Sequence, residues 1–274
     1  MIYILSGVLV RIFSNSYINV FQKLLTNYGN KPVVINLYTY LGLTVLSLFL
    51  LPFVNFNLSN ELLANFLLMG LLGALGNYFI IKALSLGEMS SITPINSYKP
   101  VVAMVVAFLY LKEVPSLSAI AGILLIIFGT YILYKKGNVS NIALFYRVLA
   151  LIFSGTEAVF IKKIILLTNI PTSFILWSIS GLIFAFVLSG VSKNNLKLPN
   201  VKNLALLIIS VALMQYSTNF VFSKINVAYA LALFQLSTLL SVFLGVNIFH
   251  EKDMRRKIIA SLIMIFGSVI IIFS

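Results

Sequence analysis

The stretch from Glu88 to Glu113 reads EMSSITPINSYKPVVAMVVAFLYLKE and is long enough to cross a bilayer as one helix. Its second half is apolar, whereas polar side chains crowd around Lys99 in its first half. Pro94 and Pro100 bracket that polar cluster, and each removes a backbone donor. In a membrane, freed backbone groups are tolerated only where protein or a water-filled cavity satisfies them. We therefore predict a broken helix that lines a substrate cavity. The alternative is a proline-kinked packing helix whose lysine meets a neighbouring carbonyl.

The composition is that of an integral membrane protein. Of the 274 residues, 61% are hydrophobic and 9% are charged, whereas a soluble domain has about 25% charged residues. The apolar runs are continuous over about 20 residues, which predicts helices rather than the alternating strands of a barrel. The chain has no cysteine, which excludes disulfides and thiolate metal sites. The net charge of +13 lies mostly at the ends of apolar runs, which favours a membrane surface over nucleic acid.

Ten apolar spans can be placed along the chain. Short polar turns or prolines separate them, and no connection is long enough to form a soluble domain. The predicted spans are residues 2–25, 33–51, 62–84, 88–113, 117–134, 142–165, 172–191, 201–222, 227–249 and 258–273. The predicted fold is an all-α integral membrane protein with ten transmembrane helices.

The two halves of the chain share a pattern. Gly267 follows Gly129 at the same interval at which Glu251 follows Glu113, and we call this the repeat interval. Nearly the same interval separates Pro32 from Pro171, Gly42 from Gly181, Ser14 from Ser154, and Lys23 from Lys163. Because five spans per half is an odd number, the second half must enter the membrane upside down relative to the first. We predict two inverted five-helix repeats, residues 1–136 and 142–274, joined by a linker at residues 137–141, with a site at their interface.

The basic residues towards the ends of the spans and in the connections predict the orientation. Thirteen fall on one side of the membrane, including Lys23 and Arg147, and four fall on the other. The smaller group is Lys112, Lys162, Lys163 and Lys224. The side with thirteen should be cytoplasmic, which leaves both termini outside.

The first half also carries short motifs at fixed spacing. They are Ala83-Leu84-Ser85-Leu86-Gly87, Ser91-Ile92-Thr93-Pro94, Lys99-Pro100-Val101, Leu111-Lys112-Glu113, Gly122 and Phe128-Gly129. This pattern resembles the EamA-type repeat of the drug/metabolite transporter (DMT) superfamily. The second half keeps Glu251 and Gly267 but has Ala232 and Thr238 where the first half has prolines.

The resemblance covers essentially the whole chain. It implies ten helices in two inverted halves, which carry small metabolites, often amino acids, without ATP. Many relatives keep their termini inside, whereas the charge pattern of this chain places them outside.

Three charged residues lie within predicted spans and away from the loops, namely Arg11, Lys99 and Glu157. A charge inside a membrane needs a partner or water. One interpretation is an internal ion pair of Glu157 with Lys99 or Arg11 that locks the halves together. We favour the other, in which all three line a substrate cavity. Arg11 and Lys99 would then bind an anionic group, while Glu157 could accept an ammonium group or a proton. Two cations and one acid favour an amino acid or small anion over a lipophilic cation.

Polar side chains recur in the spans around these charges. Arg11, Asn15 and Asn19 are spaced by four residues and share one face of the first helix. The predicted substrate-binding residues are Arg11, Asn15, Asn19, Asn77, Tyr78, Asn96, Tyr98, Lys99, Glu157, Tyr216, Asn219 and Gln235. Helix–helix hydrogen bonding is the alternative use of each polar residue.

Two features of the spans concern packing. Gly70, Gly73 and Gly76 recur at every third position, which predicts close contact with a neighbouring helix. Trp177, the only tryptophan, lies within the seventh span. The sequence leaves open whether its ring faces lipid or forms a cavity wall.

An enzyme is the main rival class, and the sequence does not support one. The only histidine, His250, lies at the end of the ninth span, and no activated nucleophile can be named near it. We predict a multi-pass secondary transporter of the cytoplasmic membrane, without cofactor or metal, that moves a small polar metabolite such as an amino acid by alternating access. It would act as a monomer or homodimer, with proton coupling left open. The alternatives are a drug or organic-cation exporter of the same superfamily and a channel or scaffold.

Overall fold

The computed structural model describes residues 2–55, 58–133, 140–190, 198–249 and 254–272. Every regular element within these ranges is a helix. The helices are α1 Ile2–Asn27, α2 Pro32–Ser47, α3 Asn60–Leu86, α4 Met89–Ile92, α5 Lys99–Leu111, α6 Leu117–Leu133, α7 Asn141–Leu167, α8 Ile170–Gly190, α9 Val201–Phe222, α10 Val227–Phe234, α11 Ser237–Phe249 and α12 Met254–Ile272. Two 3-10 segments, Leu48–Phe53 and Thr93–Tyr98, extend α2 and join α4 to α5.

Each of the ten predicted spans corresponds to one helix or to a pair of short helices in the described chain. The bounds of α9 equal those of its predicted span, and α1, α3 and α7 begin and end within two residues of theirs. Within the described residues, six helical stretches are long and apolar enough to cross a membrane. They are Tyr3–Asn27, Pro32–Phe53, Asn60–Leu86, Ile170–Gly190, Val201–Phe222 and Val227–Gly245. The chain is therefore a multi-pass helical membrane protein.

The predicted break in the fourth span is confirmed. The α-helix stops at Ile92, a 3-10 segment containing Pro94 follows, and regular α-helix resumes at Lys99. Pro100 is the second residue of α5, a position where a backbone donor has no intrahelical partner to lose. The break therefore places Lys99 at the start of a new helix.

The ninth span is also broken, which corrects the prediction of one continuous helix over residues 227–249. Two residues separate α10 from α11, and the backbone N–H of Gln235 and of Leu236 each donates to a carbonyl three residues earlier. Such i→i−3 bonds form a tighter turn than the α-helix. The break needs no proline, so the signal that identified the first break does not identify this one. Ser237, which opens α11, follows Lys99 at the repeat interval.

The most extensive packing joins helices of the first half to helices of the second. In the described chain, α1 packs against α9, α2 against α8, α3 against α7, and α6 against α12. Most residues of the largest hydrophobic core come from α1, α2, α3, α7, α8, α9 and α10. The two halves therefore form one interlocked bundle, and any cavity between them is shared.

The predicted close contact at the glycines of α3 is confirmed. A Cβ atom on Gly70 would collide with Ser180 of α8, and one on Gly76 would lie 3.2 Å from the backbone nitrogen of Ser154 in α7. A Cβ atom on Gly73 would collide with the carboxylate of Glu157. The absence of side chains on this face of α3 therefore lets α7 and α8 approach and makes room for the Glu157 carboxylate.

A largely buried ion pair joins α7 to the end of α5 and the start of α10. Lys162 Nζ pairs with Glu113 and donates to the Ile225 carbonyl at 2.9 Å. The second carboxylate oxygen of Glu113 accepts a bond of 3.0 Å from the backbone N–H of Val227. We call this group the Glu113–Lys162 clasp. Lys162 is therefore a structural residue, not a loop charge that sets orientation.

Some predicted features fall outside the described residues. They are His250, Glu251, residues 137–139 of the predicted linker, and several basic residues used to predict orientation, including Lys135 and Lys136.

Candidate functional site

A polar cavity with a volume of about 100 Å³ lies between helices of both halves, and we call it the central cavity. Seven of the twelve predicted substrate-binding residues line it: Arg11, Asn15, Asn19, Asn77, Asn96, Lys99 and Glu157. Residues that the sequence analysis did not select also line it, among them Gln22, Tyr40, Arg147, Trp177 and Gln215.

One face of α1 supplies four polar residues of the wall. Arg11, Asn15, Asn19 and Gln22 are spaced by four, four and three residues, so they lie above one another on the helix. Asn15 Nδ2 donates to the Ser237 hydroxyl at 2.9 Å, and Asn19 Nδ2 donates to a second hydroxyl of α11 at 3.2 Å. The two asparagines therefore line the cavity and also hold α1 against the broken ninth span.

A chain of amide side chains joins α1 to α3 and α2. Gln22 Nε2 donates to Asn77 Oδ1 at 3.1 Å, and Asn77 Nδ2 donates to Asn36 Oδ1 at 2.6 Å. Asn36 in turn donates to the Ala74 carbonyl at 3.2 Å. The chain fixes the side chain of Asn77 at the wall of the cavity. It leaves Gln22 Oε1 buried without a partner among the described residues.

The Glu157 carboxylate is held by an aromatic pair. Trp177 Nε1 donates to Glu157 Oε1 at 2.6 Å, and the Trp177 ring lies 5.2 Å from the ring of Tyr40, centroid to centroid. Tyr40 is fully buried against Gly181, where any side chain would collide with its ring. Trp177 is therefore a cavity wall rather than a lipid-facing residue.

Arg11 and Lys99 form no ion pair with Glu157 in the described part of the chain. Arg11 is buried, and its Cζ atom lies 4.9 Å from the centroid of the Phe234 ring. Arg11 Nε and Nη1 have no hydrogen-bond partner among the described residues. The structure therefore does not contain the predicted alternative, an ion pair of Glu157 that locks the two halves together.

Arg147 is a third cation of the central cavity, and its prediction as a loop charge that sets orientation was wrong. Helix α7 begins at Asn141, so Arg147 lies more than one turn inside the helix and is only 4% exposed. Its Nε atom is buried without a partner among the described residues. A signal was present, because Arg147, Ser154 and Ala158 follow one another by seven and four residues along one helical face.

Three of the predicted substrate-binding residues do not line the central cavity. Tyr78 and Tyr98 are half-buried and do not line it. Tyr216 is 40% exposed and packs edge-on against Phe174 in an apolar groove between α1, α2, α8 and α9. One residue earlier on α9, Gln215 does face the cavity, because successive helical residues point about 100° apart.

Asn219 and Gln235 form a layer behind the cavity wall. Asn219 Oδ1 accepts a bond of 2.8 Å from Gln215 Nε2, and Gln235 Oε1 accepts one of 3.4 Å from Asn96 Nδ2. Both donors line the cavity. Asn219 and Gln235 can therefore act on a solute through the residues that they position.

Comparison with known proteins gives a family match and a fold match. Residues 1–135 match the family model described as the EamA-like transporter family. A solved structure titled "Crystal structure of protein" is 12% identical, with 98% of each chain covered and a TM-score of 0.71. At that identity the likeness shows the fold alone. No curated protein matches the chain.

Proposed function

We propose that the chain, whose residues 1–135 match the EamA-like transporter family, is a secondary transporter of the cytoplasmic membrane. Its substrate would be a small polar metabolite, an amino acid or similar zwitterion. The observation that carries the proposal is the central cavity, which gathers Arg11, Lys99 and Glu157 between helices of both halves. Charged groups inside a membrane are costly unless they face water or a partner, so they mark the path of a polar solute.

The site has groups for each part of a zwitterion. Arg11 and Lys99 would bind the carboxylate, and Glu157 would accept the ammonium group. Asn15, Asn19, Asn77 and Asn96 would hydrogen-bond the solute, in addition to joining helices. At roughly 10–15 Å³ per water-sized unit, a cavity of about 100 Å³ suits a solute of about seven to ten non-hydrogen atoms.

Alternating access would come from movement of residues 1–136 against residues 142–274 as inverted repeats. The packing supports this, because α1 and α3 contact α9 and α7, the third and first helices of the other half. Two half-buried hydrogen bonds support it as well, because Lys23 donates to the Gly87 carbonyl and Lys162 donates to the Ile225 carbonyl. Ile225 follows Gly87 at the repeat interval, and Lys162 follows Lys23 at nearly the same interval.

The rival functions fit the site less well. An organic-cation exporter would present mainly acidic or aromatic groups, whereas three cations and one carboxylate line this cavity. A channel would need a continuous path, whereas the Glu113–Lys162 clasp joins α5, α7 and α10 at one end of the bundle.

Reconstituted protein tests the proposal directly. Purified chain in liposomes preloaded with unlabelled amino acids should take up labelled amino acids by exchange, with a rate that saturates with concentration. Protein-free liposomes give the background. Uptake that rises linearly without saturation, together with a steady conductance in planar bilayers, would assign the chain to the channels instead.

A further inference from the structure

The central cavity holds more positive charge than a neutral zwitterion requires. Arg11, Lys99 and Arg147 are three cations in its wall, and Glu157 is the single carboxylate among the lining residues. None of the three cations has an ion-pair partner in the described part of the chain. A substrate carboxylate and ammonium group would compensate one cation and Glu157, which leaves two cations without a counterpart.

The two arginines also present donors that the protein does not use. Arg11 Nε and Nη1 and Arg147 Nε are buried and have no acceptor among the described residues. A buried donor without an acceptor costs free energy, and a buried cation costs more. The guanidinium group matches a carboxylate or phosphate because it offers parallel N–H donors in one plane. Both arginines are therefore suited to bind acidic groups of a solute.

The arginines lie at two different positions in the cavity. Arg147 precedes Glu157 by ten residues on α7, which corresponds to about 15 Å along the helix axis. Lys99 lines the same cavity as Glu157 and both arginines. The cavity wall thus presents one guanidinium group from α7 and another from α1, with Lys99 in the same wall.

We propose that the substrate is an amino acid with a second acidic group, a carboxylate or a phosphate, on its side chain. Arg147 binds one acidic group, Arg11 and Lys99 bind the other, and Glu157 binds the ammonium group. This inference rests on the proposed transport function and specifies its substrate class. The wall then offers three cations and one anion to a solute with two anions and one cation.

Matched pairs of amino acids test the charge requirement. The thermal unfolding temperature of the purified chain is measured with L-glutamate, L-aspartate and O-phospho-L-serine, and with their neutral counterparts L-glutamine, L-asparagine and L-serine. A ligand that binds only the folded protein raises this temperature with concentration. We expect at least one acidic amino acid to raise the unfolding temperature at a concentration at least tenfold lower than its neutral counterpart requires.

Variants of Arg147 test the assignment of the second acidic group. In Arg147→Gln, we expect the apparent affinity for the acidic ligand to fall at least tenfold and the acidic-over-neutral preference to be lost. Arg147→Lys keeps the charge without the planar fork, so it should retain part of the preference even if the glutamine variant does not fold. Arg255→Gln removes an exposed charge on α12 and should leave binding unchanged.

The outcomes separate this inference from the proposed function. If neutral amino acids exchange in liposomes and the acidic members bind no better, the acidic substrate class is wrong and amino-acid transport stands. If acidic members bind and Arg147→Lys and Arg147→Gln both keep the full preference, the role of Arg147 is wrong. If no amino acid of either kind binds or exchanges, both the proposed function and the inference are overturned.

Discussion

At the scale of single residues, the site depends on how a few side chains are held. Glu157 lies above Gly73, accepts a hydrogen bond from Trp177, and has no cation within ion-pair distance in the described part of the chain. Its charge is thus oriented by neutral neighbours and left available to a solute. A carboxylate neutralised by a lysine or arginine would not be available in this way.

The charge of Glu157 can be removed with little change in shape. In Glu157→Gln, an amide oxygen can still accept from Trp177, so folding should persist while the charge-assisted bond to an ammonium group is lost. Such bonds contribute about 1.5–3 kcal/mol, so the apparent affinity for an amino acid should fall roughly tenfold to a hundredfold. The concentration dependence of amino-acid exchange in liposomes measures this loss of affinity.

Glu61→Gln is the matched control, because Glu61 pairs with Lys163 at the surface and its side chain is 52% exposed. It should leave exchange unchanged. If Glu157→Gln shows unchanged uptake and an unchanged dependence of uptake on pH, Glu157 has no role in binding or coupling.

A substitution at Gly181 tests the aromatic packing that positions Trp177 against Glu157. In Gly181→Ala, the new methyl group would collide with the Tyr40 ring, which is fully buried and packed against Trp177. Overpacking of this kind destabilises a core by about 1–3 kcal/mol. The unfolding temperature in detergent should fall, and substrate affinity should fall with it. Gly190→Ala on the same helix has open space and should be neutral, so equal stability of the two variants would contradict the packing argument.

At the scale of elements, the sequence predicted the helices well and the breaks only in part. Continuous apolar runs determine where helices cross the membrane, so ten spans could be placed from the sequence. The prolines predicted the break before Lys99, but the break at Gln235 carries no proline and was missed. It is held by packing and by bonds from α1, such as Asn15 to Ser237, which local sequence does not encode. Arg147 was missed for a different reason, because it lies within two turns of the start of α7 and was therefore grouped with the loop charges.

The break at Gln235, which has no proline, bears on the role of the proline in the fourth span. If packing alone can hold a break, Pro100 is not required, and Pro100→Ala should keep the fold and transport. Its cost should be about 0.4–1 kcal/mol, the usual effect of a proline on the unfolded chain. Pro171→Ala, at the same position at the start of α8, should cost a similar amount. Thermal unfolding and exchange assays measure both. A loss of exchange confined to Pro100→Ala would mean that the proline itself holds the break.

At the scale of the whole molecule, neither half of the chain contains the site alone. Residues of α1 and α3 form the cavity wall opposite residues of α7, α8 and α9, and the clasp joins Glu113 of the first half to Lys162 of the second. Composition and span pattern predict such a bundle, whereas the list of groups that face one another depends on helix rotation. This is why Gln215 rather than Tyr216 faces the cavity.

We expect the Glu113–Lys162 clasp to restrain movement of the two halves. Removing one partner of a buried ion pair leaves the other charge uncompensated, which costs up to about 3–5 kcal/mol, whereas a surface pair contributes about 0–1 kcal/mol. In Glu113→Gln, the arrangement with the clasp formed should therefore lose stability relative to one with that end open. The chain has no cysteine, so a single cysteine introduced at Ala228, beside Glu113, can report access to this end.

We expect Glu113→Gln to raise the rate at which a water-soluble maleimide labels that cysteine by at least tenfold. Glu61→Gln removes a carboxylate of comparable charge from the surface pair with Lys163 and should leave the labelling rate unchanged. If the two variants label equally, the clasp does not hold that end of the bundle closed, and the movement of the halves must be sought at another contact. A selective increase with Glu113→Gln would instead assign one closed end of the alternating-access cycle to a contact between the two halves.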